Sequence, residues 1–382
     1  MSVWDTPERK ELRATVRGFV EREVLPDLDA WERAGELPRE LHKKAGELGL
    51  LGIDVAESAG GSGGDSIDSV IVGEEFHQAG ASGGAWASLF TCGIALPHII
   101  ASGNTEQIDR WVKPTLAGDL IGSLAITEPG GGSDVGHLST SAVRDGDHYI
   151  INGAKTFITS ACRADFVVTA VRTGGPGAAG VSLIIVPTDT PGFTVARKLE
   201  KMGWLASDTG ELSYEDVRVP VENLVGAENT GFAQIATAFV SERVGLAVQA
   251  YAQAQRALDL TLEWCRNRET FGRPLISRQS VQMTLTEMAR RVDVARVYTR
   301  ALVERHAAGE QGLIAEVCFA KNTAVETAEW VANQGVQLHG GMGYMRESEI
   351  ERIYRDVRII GIGGGTNEIL TMLASKVLGY QS

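Results

Sequence analysis

The chain has 382 residues, of which 43% are apolar and 22% charged, a composition typical of a globular protein with two or three domains. Its net charge of −13 argues against nucleic acid as the main partner, because phosphate contacts require a basic surface. The four cysteines are far apart and no pair has metal-ligand spacing, so we expect neither a disulfide framework nor a metal site. The charged N-terminal segment and the lack of a long apolar run predict a cytoplasmic protein with no membrane span.

The sequence pattern of the first third of the chain predicts helices. Thr6, Pro7 and Glu8 form a helix start signal, with a capping residue, a proline at the first helical position and then an acid. The pattern predicts a helix up to Pro26 and further helices over residues 38–52, 68–81 and 105–119.

The middle of the chain has a composition typical of β-strands. Residues 148–161, 164–173, 181–189 and 211–220 are rich in β-branched and aromatic residues and are bounded by turn residues. Because no helical pattern separates them, they predict an antiparallel sandwich or barrel.

Long amphipathic helices return over residues 231–268, 277–309 and 313–341, and a short last helix is expected after Thr366. Short connections between long helices favour antiparallel neighbours in a bundle. The predicted fold class is therefore α+β, with an N-terminal helical domain at 1–119, a middle antiparallel β domain at 120–225 and a C-terminal four-helix bundle at 226–382.

One carboxylate lies on an apolar stripe of the first long C-terminal helix. Glu242 shares the helical face of Phe232, Ile235, Phe239 and Leu246. A carboxylate on such a face is costly to bury unless it is paired with a cation, neutralised by a proton or used as a functional group. Two interpretations follow: a structural ion pair with an arginine, or a base whose pKa is raised towards neutrality by poor solvation.

Two motifs in the β region are suited to a flat, phosphate-bearing ligand. The run AITEPGGGSD at 125–134 allows close backbone approach, and Ser133 can donate to a phosphate. In KTFITS at 155–160, Phe157 and Thr159 point to the same side of a strand and suit a heteroaromatic ring. The alternatives are an ordinary turn for the first motif and a buried core position for Phe157.

Two further motifs lie in the C-terminal third. RETFGRP at 268–274, followed by Gln279, offers cations to a pyrophosphate, although a solvated surface is the alternative. QLHGGMGYM at 337–345 and IGGGTNEI at 362–369 are glycine-rich, and the second is typical of a loop that enters a helix N-terminus. Such an end offers unpaired N–H donors to a carbonyl or phosphate.

Taken together and in this order, these motifs closely resemble the acyl-CoA dehydrogenase family over nearly the whole chain. The resemblance implies FAD at the junction of the β domain and the C-terminal helices, in a homotetramer built as a dimer of dimers. It implies flavin contacts at Leu124, Ala125, Ile126, Thr127, Ser133, Phe157, Ile158 and Thr159, and a cofactor site that Thr366 and Glu368 complete. The ADP portion is then held by a neighbouring subunit through Arg268, Thr270, Phe271, Gln279, Gln337, Gly340 and Gly341.

The chain departs from many family members at the catalytic base. Their glutamate precedes the Gly-Thr pair of the last loop, where this chain has Gly364. A subset that resembles isovaleryl-CoA and long-chain acyl-CoA dehydrogenases carries the base on the long helix, immediately before an arginine. That position is Glu242, followed by Arg243. The resemblance then implies substrate contacts from Ser133, Arg243, Gly364 and Gly365.

The implied reaction is α,β-dehydrogenation of an acyl-CoA to the trans-2-enoyl-CoA. Glu242 takes the α-proton, the β-hydride passes to flavin N5, and an electron-transfer flavoprotein accepts the electrons. Hydrogen bonds from the flavin ribityl hydroxyl and the backbone N–H of Gly364 stabilise the enolate. The glycines at 363–365 are expected to leave room for a branched or bulky acyl chain.

Three alternatives remain at this point. The first is a relative that acts on an acyl group tethered to a carrier protein, which needs a basic docking surface. The second is an oxidase or monooxygenase, although oxidase relatives are usually longer. The third is a non-catalytic flavin-binding relative that has lost its base, and the position of Glu242 argues against it.

Overall fold

The computed structural model describes residues 2–380. Helices occupy both ends of the chain and strands the middle. The helices are α1 Pro7–Phe19, α2 Leu28–Ala34, α3 Arg39–Glu47, α4 Ser66–Gln78, α5 Gly83–Leu89, α6 Cys92–Ser102, α7 Thr105–Gln107, α8 Lys113–Leu116, α9 Gly231–Asn267, α10 Gln279–Ala307, α11 Ile314–His339, α12 Glu349–Val357 and α13 Asn367–Val377. The strands are β1 Gly122–Ala125, β2 Ser141–Asp145, β3 His148–Thr159, β4 Phe166–Arg172, β5 Val181–Pro187, β6 Phe193–Lys198, β7 Thr209–Pro220, β8 Glu269–Thr270 and β9 Arg273–Pro274.

The predicted start of α1 is confirmed. Thr6 accepts a hydrogen bond from the backbone N–H of Arg9, and Pro7 is the first helical residue. The sequence interpretation did not identify α2, α5, α6 or α12. Residues 83–102 are almost uniformly apolar, so they give no amphipathic period from which a helix could be read.

The middle sheet is mixed, although most of its pairs are antiparallel. Its order is β1-β4-β2-β3-β7-β6, and β5 pairs with β4. β1 runs parallel to β4, and β2 also meets β4 in parallel. The expectation of a purely antiparallel β domain is corrected in this respect, because the short strand β1 enters directly from the N-terminal helices.

The apolar strands β4 and β5 are buried on both faces. Phe166, Val168 and Ala170 of β4 pack with the N-terminal helices, whereas Val167 and Val171 pack inside the β domain. This double burial explains why β4 and β5 read as continuous apolar runs and not as an alternating pattern.

The three long C-terminal helices form one core with the N-terminal helix α4. Residues of α9, α10 and α11 share this cluster with Ile67, Val70 and Ile71. α9 therefore lies between the helical bundle on one side and the N-terminal helices and β5 on the other. A side chain at the middle of α9 can reach the junction of all three parts.

One segment of the described chain, Gly83–Ser102, is long and apolar enough to cross a membrane by length and composition. It spans α5, α6 and the two residues between them, and more than half of its residues are buried inside the protein. It is therefore weak evidence for a membrane span.

Candidate active site

Glu242 lies on the inward stripe of α9, as the helical spacing indicates. Ile235 and Leu246, on either side of it along the stripe, are buried, and Glu242 itself is half-buried. Among residues 2–380, no side chain forms an ion pair or hydrogen bond with its carboxylate. The structure therefore does not contain the structural ion pair that was the alternative for this residue.

The surroundings of Glu242 favour its protonated form. Burial raises the pKa of Glu242 to about 7, against the opposing charges of Arg243 and Lys321. The side chain keeps some exposure, yet the protein atoms around it displace most of its water. A carboxylate in this state can bind and release a proton near neutral pH.

The triglycine loop, defined here as Gly363, Gly364 and Gly365, lies directly beside this carboxylate. Gly364 has a φ of +64°, and a Cβ placed on it would lie 3.3 Å from Glu242 Oε1 and 2.4 Å from Leu246 Cδ1. The position at which many relatives carry their base thus adjoins the carboxylate supplied by α9. Leu246 leaves no room for a side chain at Gly364.

Every carbonyl of the triglycine loop accepts a hydrogen bond from a cation. Arg243 Nε donates to the Gly364 oxygen at 3.2 Å. Lys321 Nζ donates to the Gly363 oxygen at 2.8 Å and to the Gly365 oxygen at 2.6 Å. Arg243 also lies over the ring of Phe239, with its guanidinium carbon 5.4 Å from the ring centroid. As expected, Arg243 is not the ion-pair partner of Glu242; it holds the loop instead.

Some N–H groups of the loop are free on its other side, whereas the N–H of Gly363 donates to the Ile359 oxygen at 2.8 Å. Within the described part of the chain, the backbone N–H groups of Gly364 and Thr366 have no hydrogen-bond acceptor. Thr366 caps α13, where its hydroxyl accepts from the N–H of Ile369 at 3.3 Å. The loop therefore enters a helix N-terminus, as predicted, and presents unpaired donors next to a carboxylate.

The two motifs of the β domain are brought together by the backbone. The N–H of Thr156 donates to the Thr127 oxygen at 2.9 Å, which joins the KTFITS strand to the TEPGGGSD loop. A bulge in β3 puts Phe157 at a φ of +60°. Its ring is 69% exposed, so the alternative of a buried core position is wrong.

Two other predicted flavin contacts directly follow Phe157 in β3. Thr159 is half-buried and pairs with Thr209 of β7, whereas Ile158 is buried in the β domain. The remaining members lie at the end of β1 and in the loop after it: Leu124 is half-buried, Ala125 is buried, Ile126 and Thr127 are half-buried, and Ser133 is exposed.

A buried ion pair holds the start of the loop that follows β1. Lys155 Nζ is 2.9 Å from Glu128 Oε1 and also donates to the Ile126 oxygen at 3.0 Å. Burial raises the pKa of Glu128, but hydrogen bonds from Ser139 and Thr140 and the charge of Lys155 outweigh it and lower this pKa to about 2. The pair fixes the backbone that leads into the glycine run.

The second predicted set lies at one end of the helical bundle. Phe271, in the turn of the β8–β9 hairpin, is 98% exposed, and the guanidinium of Arg278 lies 5.3 Å from its ring centroid. Trp264 ties the hairpin to the end of α11, because its carbonyl accepts from the N–H of Arg268 and its indole donates to the Leu338 oxygen. The other members, Thr270, Gln279, Gln337, Gly340 and Gly341, lie at the same end, and all but the half-buried Thr270 are exposed.

This second set does not meet the flavin motifs of the β domain within one chain. Across residues 2–380, no hydrogen bond, ion pair or ring contact joins residues 268–279 or 337–341 to residues 124–159. Thr366 and Glu368, by contrast, follow the triglycine loop directly, and Glu368 is exposed.

Sequence reasoning missed Lys321, whose side chain is fully buried. The test that singled out Glu242 would have found it, since Lys321 shares an apolar helical face of α11 with Val317, Ala324 and Val325. The role of the Glu128–Lys155 pair had no such signal, because neither residue lies on a periodic stripe.

Comparisons with known proteins cover the whole chain. Sequence profiles for the N-terminal, middle and C-terminal domains of acyl-CoA dehydrogenases match residues 6–119, 123–217 and 229–379. A long-chain specific acyl-CoA dehydrogenase of Rattus norvegicus is 38% identical over 97% of this chain and 86% of its own length. A short-chain specific enzyme of Mus musculus is also 38% identical, over 96% and 89%. A caffeyl-CoA reductase-Etf complex subunit of Acetobacterium woodii is 35% identical over 97% and 98%.

Solved structures of acyl-CoA dehydrogenases also match this chain. A Mycobacterium smegmatis protein assigned to the acyl-CoA dehydrogenases is 73% identical, with a TM-score of 0.99 and full coverage of both chains. An acyl-CoA dehydrogenase of Bacillus anthracis in complex with FAD is 31% identical, with a TM-score of 0.91, over 98% of this chain and 68% of that one.

Proposed function

This chain belongs to the acyl-CoA dehydrogenase family of FAD-dependent oxidoreductases, and we propose that it removes the α-proton of its acyl-CoA substrate with Glu242. The observation that carries this assignment is the position of the carboxylate beside Gly364. The two alternative base positions of the family lie far apart in sequence, yet in this chain they adjoin one another. A base at either position therefore serves the same reacting carbon.

The α-proton of a thioester is only weakly acidic in water, so the site must stabilise the developing enolate. The unpaired N–H of Gly364 is a suitable donor to the thioester oxygen, because it lies in the same loop that adjoins Glu242. A pKa near 7 keeps a useful fraction of Glu242 ionised at neutral pH while retaining its basicity. Proton abstraction and enolate stabilisation are then supplied by neighbouring groups of one small site.

The β-domain residues fit FAD. An aromatic ring that is 69% exposed at a strained φ, beside a glycine-rich loop, offers a flat apolar face and backbone donors. Phe157, Thr159, Thr127 and Ser133 would hold the isoalloxazine and pyrophosphate, with Leu124, Ala125, Ile126 and Ile158 forming the adjoining backbone. When bound, FAD supplies the hydride acceptor.

The exposed hairpin supports a cofactor site shared between two subunits. A phenylalanine that is 98% exposed is unusual on a surface that contacts only water. Phe271 lies close in sequence to the polar residues Arg268, Thr270 and Gln279. Since this set does not meet the flavin motifs within one chain, we assign it, with Gln337, Gly340 and Gly341, to the ADP portion of a neighbouring subunit's FAD. The sharing is in keeping with a dimer, and we propose, from the family resemblance, that two such dimers form a homotetramer.

We propose an electron-transfer flavoprotein as the electron acceptor, in keeping with the Acetobacterium relative that is a subunit of an Etf complex. The place of the base groups this chain with the isovaleryl-CoA and long-chain enzymes. Overall sequence identity does not indicate the length of the acyl chain, because the long-chain and short-chain specific relatives are equally similar to this chain. Leu246 and Leu370 occupy the space beside Gly364 and Gly365, so the missing side chains do not by themselves make room there, and a branched or bulky acyl group stays a prediction from the sequence.

Anaerobic flavin reduction tests this function. The purified holoenzyme is mixed with straight and branched acyl-CoAs, and bleaching of the oxidised flavin is followed by stopped flow. We expect at least one acyl-CoA to bleach the flavin rapidly, and we expect Glu242→Gln to retain FAD but react slower by about 100-fold or more. Bleaching only by an acyl group on a carrier protein, or by none of the compounds, would replace the proposal with one of the alternative functions.

A further inference from the structure

Lys321 is buried beneath the triglycine loop without an acidic partner. Its side chain has no exposed surface, and its ammonium group forms no salt bridge within the described residues. Its hydrogen bonds go to the carbonyls of Gly363 and Gly365, at 2.8 and 2.6 Å. Burying an ammonium group is costly, and two carbonyl groups offset only part of that cost. We therefore expect a buried lysine at this position to have a role beyond packing.

The carbonyl groups that Lys321 binds determine where two N–H groups point. The C=O of one residue and the N–H of the next belong to the same planar trans peptide and point in opposite directions. Holding the Gly363 oxygen towards α11 thus turns the N–H of Gly364 away from α11, and holding the Gly365 oxygen does the same for the N–H of Thr366. Both N–H groups lack an acceptor in the described chain.

A glycine run needs such support. Glycine has the largest backbone freedom of any residue, and Gly364 and Gly365 both have positive φ values, +64° and +96°. Three glycines in succession would otherwise sample many orientations of the Gly364 N–H. A cation on the carbonyl also polarises the peptide and strengthens the donor at its other end.

We propose that Lys321 is a positioning residue, which orients the Gly363–Gly364 peptide so that the N–H of Gly364 binds the thioester carbonyl of the acyl-CoA. This inference rests on the proposed function. Lys321 touches neither the substrate nor the reacting atoms; it acts through the peptide that does.

The charge of Lys321 adds a second effect on the same site. The charged groups that act on the Glu242 carboxylate are Arg243 on its own helix and Lys321 on α11, and both lower the pKa of Glu242. Burial, together with the charge of Arg243, lowers the pKa of Lys321 to about 8, so at neutral pH it is largely protonated. Cys318 is the other titratable group beside this pair, and its pKa is raised by burial. Removing the lysine charge should therefore raise the pKa of Glu242.

Lys321→Met tests the proposal in the holoenzyme. The methionine retains an unbranched side chain but has neither charge nor donor. The probe is a 3-thiaacyl-CoA labelled with ¹³C at its carbonyl, in which sulfur replaces the β-carbon, so that no β-hydride can leave. Difference infrared spectroscopy of the bound analogue reports how strongly its carbonyl is hydrogen-bonded, without turnover.

We expect the carbonyl stretch to move to higher frequency in Lys321→Met. With an oxidisable acyl-CoA, we expect kcat to fall about tenfold or more with little change in KM, because the donor acts mainly on the enolate-like transition state. The pH profile of flavin reduction should shift to higher pH. Lys321→Gln keeps a shorter neutral donor and should show an intermediate stretch with the same pH shift, and it replaces Lys321→Met in the test if that variant does not fold.

Val331→Ala is the matched control, because Val331 is fully buried on the same helix ten residues further on. It should lower stability without altering the carbonyl stretch or the pH profile. An unchanged stretch in an FAD-bound Lys321→Met that binds the analogue would overturn the inference, as would an equal change in Val331→Ala. Failure of wild-type enzyme to be reduced by any acyl-CoA would instead contradict the proposed function.

Discussion

The contact between Gly364 and Leu246 allows a quantitative test of how closely the loop adjoins α9. An alanine at position 364 would adopt a φ of +64°, which costs roughly 1–2 kcal/mol for a residue with a Cβ. Its methyl group would also lie 2.4 Å from Leu246 Cδ1, far inside a normal contact, and overpacking of this kind costs about 1–3 kcal/mol. We therefore expect Gly364→Ala to lower the free energy of unfolding by roughly 2–5 kcal/mol.

A double-mutant cycle separates the two terms. In a Leu246→Ala background the clash is absent, so Gly364→Ala should cost only the backbone strain, and the two changes should couple by about 1–3 kcal/mol. Denaturant unfolding of the four holoenzymes measures this coupling. The same methyl group would lie 3.3 Å from the Glu242 carboxylate, so flavin reduction should also slow by roughly tenfold or more through displacement of the base.

Gly363→Ala is the matched control within the same loop. A Cβ there would meet only the Ile359 oxygen at 3.6 Å, an ordinary contact. We expect this change to be within about 0.5 kcal/mol of wild type. Equal effects of Gly363→Ala and Gly364→Ala, or additive effects of Gly364→Ala and Leu246→Ala, would refute the packing described for this site.

Three further predictions concern single side chains. Phe157→Ala should weaken FAD binding about threefold to tenfold with little loss of stability, as judged by flavin titration, whereas Val143→Ala on the same sheet should leave FAD binding unchanged. Glu242→Gln should raise stability at pH 8 but not below pH 4.5, because the pKa of Glu242 rises from 4.5 to about 7 on folding, and only the folded wild type holds a poorly solvated charge above pH 7. A difference in denaturation midpoint that does not vary with pH would contradict this reasoning. Glu128→Gln should lower the free energy of unfolding by about 3 kcal/mol, because it leaves Lys155 buried without its counter-charge, and an unfolding measurement that finds no loss would contradict a stabilising role of the pair.

The sequence predicted most of the elements that carry a clear period or a turn signal. The stripe on α9, the strand around Phe157 and the loop before α13 all have local patterns that match their structures. α5 and α6 were not recognised, because their sequences are almost uniformly apolar and have no amphipathic period. The parallel pairing of β1 was also missed, since pairing between strands that are distant in sequence has no local signal.

The site was predictable in its parts but not in its assembly. Glu242 and Gly364 could each be selected from the chain, but only the fold brings the carboxylate against the triglycine loop. Lys321 acts through hydrogen bonds to backbone oxygens more than 40 residues away, a kind of contact that residue types alone do not reveal. The bulge that exposes Phe157 is likewise a property of sheet register and not of composition.

The most direct test of Glu242 as the base is exchange of the substrate α-proton with solvent. Wild-type holoenzyme is incubated with an unlabelled 3-thiaacyl-CoA in D₂O, and deuterium at the α-carbon is measured by mass spectrometry. We expect rapid incorporation by wild type, with a rate that falls as pH decreases below about 7, and incorporation at least about 100-fold slower in Glu242→Gln that retains FAD. Undiminished exchange in Glu242→Gln would contradict the assignment of this carboxylate as the catalytic base.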